Sequence, residues 1–299
     1  MLSFHTPSFA DLPFLVKALG HYTGRLCDLS PGNVLFWRDY YDIAIAEEAD
    51  TLILRYTEEG GYLYALPCGA EPEGALCALM DHERQRGASA LTLCNLTGEE
   101  AEALLARYPQ ATKLESERDW CDYLYPAADI CSLVGKRFSG QRNHINKFKK
   151  LYPDGHFEPL NAENLPLLRA FCEAYFKGGV GKVTEVSDIE YESLCEQLDR
   201  WDDYRQLGGI LLVEGQVVGF SVGEVVGDTL IIHTEKANIA YDGVYPMLVK
   251  EFANAFVTDG VRYINREEDC GEAGLRTSKL SYHPCALLDK YTVIVPITR

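Results

Sequence analysis

One succession of elements is legible twice in this chain, on either side of a basic segment, Lys136–Lys150, with the sequence KRFSGQRNHINKFKK. A repeated order of elements constrains folding strongly, because each copy must bury its own apolar faces. In the first pass, Ser8 and Asp11 form a capping pair for a helix through Leu12, Leu15 and Leu19, and the aromatic run Pro31–Tyr41 reads as a short helix. Three strands follow, DIAIA from Asp42, TLILRYT from Thr51 and YLYALP from Tyr62, with a turn at 58–61 between the last two. A helix opened by Pro72 and stopped at Gly87, the strand ALTLCN, a helix capped by Thr97 and Glu100, and a strand around Trp120–Tyr125 complete it.

After the basic segment the order returns. Strand HFEPL leads to a helix near Asn161 and a second helix whose Ser187 and Glu190 suggest a capping box. Strands GILLVEG and QVVGFSVGEVV join at Gly215, and Gly227–Asp228 turns the chain into TLIIHTEKA. A helix from about Gly243 to Val257, strand VRYIN, a helix over Glu272–Leu280 and the closing strand ALLDKYTVIV end the copy. The length of 299 residues suits two domains. The expected division is 1–135, a basic connecting helix at 136–155, and 156–299.

The basic segment holds Lys136, Arg137, Arg142, Lys147, Lys149 and Lys150 and no acid, within a chain of formal net charge −17. An acidic whole argues against DNA or anionic membrane as general partners, so only this island could meet a polyanion. In helical spacing Ile145 and Phe148 face one way and Arg142, Asn146 and Lys149 another. Two readings stand: a solvated helix bridging the halves, or a surface for phosphates.

No stretch approaches the length of an apolar membrane span, and the N-terminus lacks a signal-peptide pattern, so a cytoplasmic setting is expected. The ten cysteines include no CxxC pair, which suggests neither a metal site nor a disulfide framework. No phosphate loop, dinucleotide glycine fingerprint, HExxH or Ser-His-Asp order is present.

The ordered set of strands and helices resembles the GNAT acyltransferase fold, a mixed α+β architecture. Two such units in tandem resemble the Fem-type aminoacyltransferases and the C-terminal domain of bacterial phosphatidylglycerol lysyltransferases. RNHINKF at 142–148 and NREEDCGEAGLRTSKLSY at 265–282 are similar to signatures of a soluble family in that group. The resemblance implies transfer of an acyl or aminoacyl group to an amine or hydroxyl, with acyl-coenzyme A or aminoacyl-tRNA as donor. The lysyltransferases' membrane-embedded half is not among these residues, so a small-molecule or peptide acceptor is expected. The other class of reading is a non-catalytic module of the same fold that captures a small anionic metabolite or a peptide.

In a GNAT unit the donor lies where the strands flanking the long helix splay apart, here TLIIHTEKA and VRYIN. The turn between the first of these and its helix, NIAYDGVYP from Asn238, offers one glycine and places Asp242 where a phosphate would be repelled. That weakens coenzyme A as donor. The corresponding turn of the first copy, Pro67–Pro72, also lacks a basic residue, which suggests a degenerate first unit.

Candidate groups follow from their positions. Asn265 and Arg266 leave a strand end, and Arg276 and Lys279 share one face of the next helix. Arg266, Arg276 and Lys279 are expected to hold an anionic group, with Glu267 or Asp269 holding an ammonium or acting as base. His233 and Glu235 alternate along a strand and share a face, so Glu235 is a second candidate base and His233 a relay. Tyr282 could donate to a leaving group. Within the island, Arg142, Asn143, His144 and Lys147 are the expected phosphate contacts, with the acceptor end of a charged tRNA as the expected partner. For each group the plain alternative is a packing residue or an ordinary ion pair.

Overall fold

A computed structural model describes residues 1–58, 60–181, 186–204 and 206–297. Glu59, in the expected turn at 58–61, lies outside the described residues. In chain order the first stretch contains α1 (Leu12–Leu19), α2 (Pro31–Phe36), β1 (Ala44–Glu48), β2 (Thr51–Glu58), β3 (Gly61–Tyr64), β4 (Cys68–Gly69), α3 (Pro72–Gln85), β5 (Ala90–Leu96), α4 (Gly98–Arg107) and β6 (Thr112–Leu114). There follow β7 (Asp122–Pro126), α5 (Ala127–Ser132), α6 (Ser139–Leu151), β8 (His156–Pro159), α7 (Leu165–Phe176), α8 (Ser187–Asp199), β9 (Leu207–Val213), β10 (Gln216–Val226) and β11 (Thr229–Ala237). The chain ends with α9 (Val244–Phe256), β12 (Tyr263–Asn265), α10 (Ala273–Leu280), β13 (Ala286–Leu288) and β14 (Tyr291–Pro296).

Local chemistry accounts for the boundaries. Glu100 reaches back to the Thr97 N–H at 2.8 Å and caps α4 as expected, whereas Asp11 reaches back to the Ser8 N–H at 2.8 Å to cap a single 3-10 turn, Phe9–Asp11, that runs into α1. The pair Ser187 and Glu190 forms no cap: Ser187 is already inside α8, whose N-cap is Val186 without a side-chain cap. Gly87 ends the α3 segment with φ of +83°, a conformation that a side chain disfavours.

The residues separate into two compact units, and neither is one continuous stretch. The first contains Met1–Asp122, Glu268–Glu272 and the segment from Leu287; the second contains Tyr123–Glu267 and Ala273–Ala286. This differs from division at a connecting helix, since all of α6 belongs to the second unit. Among the described residues each sheet has seven strands. One runs β1-β2-β3-β5-β14-β6 with β4 beside β2; the other runs β13-β7-β12-β11-β10-β9-β8.

The closing stretch ALLDKYTVIV is therefore not one strand of the second sheet. It breaks at Asp289–Lys290, and β14 runs antiparallel between β5 and β6, with Val293 opposite Leu93 and Lys113. Its apolar faces belong there: Val293 and Val295 are buried with Ile53, Leu79, Leu91 and Leu93. Conversely β7 pairs antiparallel with β12. The second unit's core is built around Phe220, Leu248, Phe252 and Ile264, all fully buried, at about 1.5–3 kcal/mol for each large apolar side chain.

Candidate active site

Strands β11 and β12 are parallel partners over only three positions, Thr229↔Tyr263, Leu230↔Ile264 and Ile231↔Asn265. Beyond these β11 continues to Ala237, while the segment after β12 stays paired with β7 alone: the Arg266 N–H donates to the Tyr123 carbonyl at 3.0 Å, and the Tyr123 N–H donates to the Glu267 carbonyl at 3.2 Å. The strands thus part after Ile231, as the resemblance to the GNAT fold implies.

Arg266 reaches across this opening. Its Nη2 donates to Glu235 Oε1 at 2.7 Å, and its guanidinium stands 4.9 Å from the centre of the Tyr282 ring. The side chains are 7% and 12% exposed. Burial opposes the charge on Arg266, but Glu235 beside it more than compensates and holds the guanidinium above its ordinary pKa. Among the described residues, Arg266 Nη1 and Glu235 Oε2 are shielded and make no hydrogen bond. Ser221 lies directly across from Glu235 on β10, is fully buried, and its hydroxyl is likewise unmatched.

A bulge shapes the next position. The register shifts between Val222↔Thr234 and Gly223↔Ile232, leaving His233 opposite no residue. Its Nδ1 lies 2.9 Å from Glu267 Oε1 and its Nε2 3.0 Å from Glu224 Oε1, with the ring 3% exposed. Burial alone would lower its pKa, but hydrogen bonds to Glu224 and Glu267 raise it to about 9. Charged at neutral pH, the ring donates from both nitrogens and offers no lone pair. His233 therefore holds two carboxylates in place, and the relay expected of it lacks a free nitrogen. Glu267 takes this position with φ of +55°, its N–H donating to Asn265 Oδ1 at 2.7 Å.

The other expected residues divide. Lys279 is buried and its ammonium donates to the Arg266 carbonyl at 2.5 Å, so it braces the site's backbone. Arg276 is half-buried on α10. Asp269 belongs to the first unit, where it pairs with Arg118 at 3.1 Å and accepts from the Gly271 N–H at 3.0 Å. It thus falls outside the unit that holds Arg266 and Glu235, because the chain changes unit after Glu267.

In α6, Arg142 donates to the carbonyls of Leu133 and, at 2.7 Å, Gly135, which makes it a cap for the preceding turn. Arg137 pairs with Asp129 at 2.6 Å and Lys147 with Asp242 at 2.8 Å. Asn143 and His144 are exposed. Gly243, with φ of +82°, caps the start of α9, and a Cβ there would overlap the His144 carbonyl oxygen. The chain's own α6 thus covers the turn at which phosphates would meet a helix N-terminus.

Sequence reasoning missed Glu224 and Ser221, since a cross-strand partner depends on register. It also missed a cluster in the first unit. Lys290 Nζ lies 2.6 Å from Asp28, 2.9 Å from Asp122 and 3.4 Å from Glu268. Cys27 Sγ lies 3.5 Å from the same ammonium. A lysine breaking an apolar closing run was the available signal.

The match to known proteins decides the family. A model of the phosphatidylglycerol lysyltransferase C-terminal region matches residues 22–294. The chain belongs to this family. It is similar to a solved conserved protein of unknown function from Bacteroides thetaiotaomicron VPI-5482, with 30% identity, 99% and 100% of the two chains covered and a TM-score of 0.90. It shares its fold with L-PGS from Bacillus licheniformis, at 16% identity and a TM-score of 0.68 over 99% and 94% of the chains. An uncharacterized protein of Mycoplasmoides gallisepticum is 27% identical over 212 residues. That match spans 69% of this chain and 65% of the relative, a little under two thirds of its length. The fold is α+β, with two tandem GNAT-like units. Among the described residues no helix is long and apolar enough to cross a membrane.

Proposed function

We propose that this family member transfers an acyl or aminoacyl group from a thioester or charged-tRNA donor to an amine or hydroxyl of a soluble acceptor, and that the second unit carries the chemistry. The carrying observation is the Arg266–Glu235 pair spanning the opening between β11 and β12, with Nη1 and Oε2 left unmatched. Glu235 Oε2 takes the proton of an attacking amine, and Arg266 Nη1 faces the oxygen on which negative charge develops. The amine nitrogen bonds to the acyl carbon, the ester C–O or thioester C–S bond breaks, and the proton passes to the leaving oxygen or sulfur. His233, Glu224 and Glu267 are positioning residues, and the first unit is structural.

The covered start of α9 does not fit a coenzyme A pyrophosphate, so charged tRNA is the favoured donor. Lys136 and Lys150 are exposed on the basic segment toward such a strand. The test follows release of a labelled aminoacyl group from charged tRNA, with labelled acyl-coenzyme A in parallel, in the presence of mixed small amines. Transfer from the tRNA, reduced at least about a hundredfold in a folded Glu235→Gln variant, is expected. No transfer from either donor rejects the reading, and an unchanged rate in that variant rejects the site.

A further inference from the structure

The second unit's buried centre is electrically balanced but unfinished. Arg266 and Glu235 neutralise one another at 2.7 Å, yet each keeps one unmatched atom, a donor Nη1 and an acceptor Oε2. Directly across the strand, the Ser221 hydroxyl is fully buried and unmatched as well. Unmet donors and acceptors in one buried place are rare, because each gives up its bonds to water. The three atoms specify their complement. Oε2 and the hydroxyl together accept from an ammonium, while Nη1 donates to a carboxylate.

Charge selects further. A ligand of net positive or negative charge would leave that charge uncompensated in the interior, whereas a zwitterion adds none. We infer that this site binds a free α-amino acid, its ammonium on Glu235 Oε2 and Ser221 Oγ and its carboxylate on Arg266 Nη1. In the transfer reading this molecule is the acceptor, because its amine sits on the base; Nη1 carries two N–H donors, one for its carboxylate and one for the oxygen on which charge develops. The inference rests on that reading for the role alone, since binding needs no donor. The three atoms are shielded, so binding includes a local opening beside the Tyr282 ring.

The experiment is a thermal-shift and calorimetric titration of the full chain, without donor, against each standard amino acid. The decarboxylated amine, the deaminated acid and the methyl ester of the best binder are measured beside it. At least one amino acid is expected to raise the melting temperature in a concentration-dependent way. The three truncated analogues are expected to bind at least about tenfold more weakly, each lacking one of the paired groups. Ser221→Ala is expected to leave the free protein as stable or more so, because it removes an unmatched hydroxyl, while weakening the amino acid about fivefold or more. No shift with any amino acid overturns the inference, as does an ester or amine that binds equally well, or unchanged binding in Ser221→Ala. Because no donor is present, such a failure leaves the transfer reading to its own assay.

Discussion

Glu235 Oε1 and Arg266 Nη2 meet at 2.7 Å across the point where two parallel strands stop pairing. Either side chain alone would be a buried, unpaired charge, so the pair stands or falls together.

Arg266→Ala is expected to lower the unfolding free energy by about 3–5 kcal/mol, because it strands the Glu235 carboxylate. Arg266→Met combined with Glu235→Leu should be distinctly less damaging. Urea midpoints of the single and double variants check this. A double variant as unstable as the sum of the single ones would mean that the two side chains act separately.

The His233 ring gains its proton affinity on folding, from an ordinary 6.5 to about 9. A raised folded pKa contributes stability that is complete below about 6.5 and disappears as pH climbs through about 9. Unfolding free energies between pH 6 and pH 9.5 should fall more for the natural chain than for His233→Gln, by on the order of 3 kcal/mol. Parallel curves would show that the ring is not charged in the folded state.

Lys290 is the cation among Asp28, Asp122 and Glu268. Lys290→Gln should destabilise the chain by about 3–5 kcal/mol near pH 7, since three carboxylates then repel in a shielded place. Urea unfolding of the natural chain and the variant at pH 7 measures the loss, and equal midpoints would show that the ammonium is not needed there.

Coenzyme A at high concentration should leave the melting temperature unchanged. A ligand at one hundred times its dissociation constant adds about 2.7 kcal/mol, which moves a domain of this size by several degrees. Such a shift would show that the start of α9 opens to phosphate despite the His144 carbonyl.

Arg142 and Lys150 lie on the same helix but should behave differently. Arg142→Ala should lower stability by about 1 kcal/mol through lost carbonyl caps, leaving the salt dependence of RNA binding alone. Lys150→Gln should leave stability alone and reduce the slope of log affinity against log salt by about one. Fluorescence titrations of charged tRNA at several salt concentrations separate the two.

Much of the fold could be read from local signals. The alternation of His233 and Glu235, the caps at Ser8 and Thr97, and the glycine turns at 215 and 227 are all encoded within a few residues of their effects. What could not be read is which sheet a strand joins. The pattern of Tyr291–Pro296 fits either sheet, and only the complementary faces of β5 and β6 select one. The same holds within the motif at 265–269, where Glu267 and Glu268 are neighbours in sequence but belong to different units. The positive φ at Glu267 and at Cys270 marks the bend, and no residue type at those positions announces it. Glu224 entered the site through a bulge, which period-two reading does not foresee.

The insertion of β14 between β5 and β6 also sets an order of events during synthesis. A ribosome delivers the chain from its amino end, so β5 and β6 wait for β14, which follows them by more than 170 residues. The second unit's residues emerge before the first unit's sheet can close. Until then the edges of β5 and β6 carry unpaired N–H and C=O groups beside exposed apolar side chains, the condition under which nascent chains pair wrongly with one another. The strand Tyr291–Pro296 therefore acts as the latch on a sheet whose other strands are all made before it.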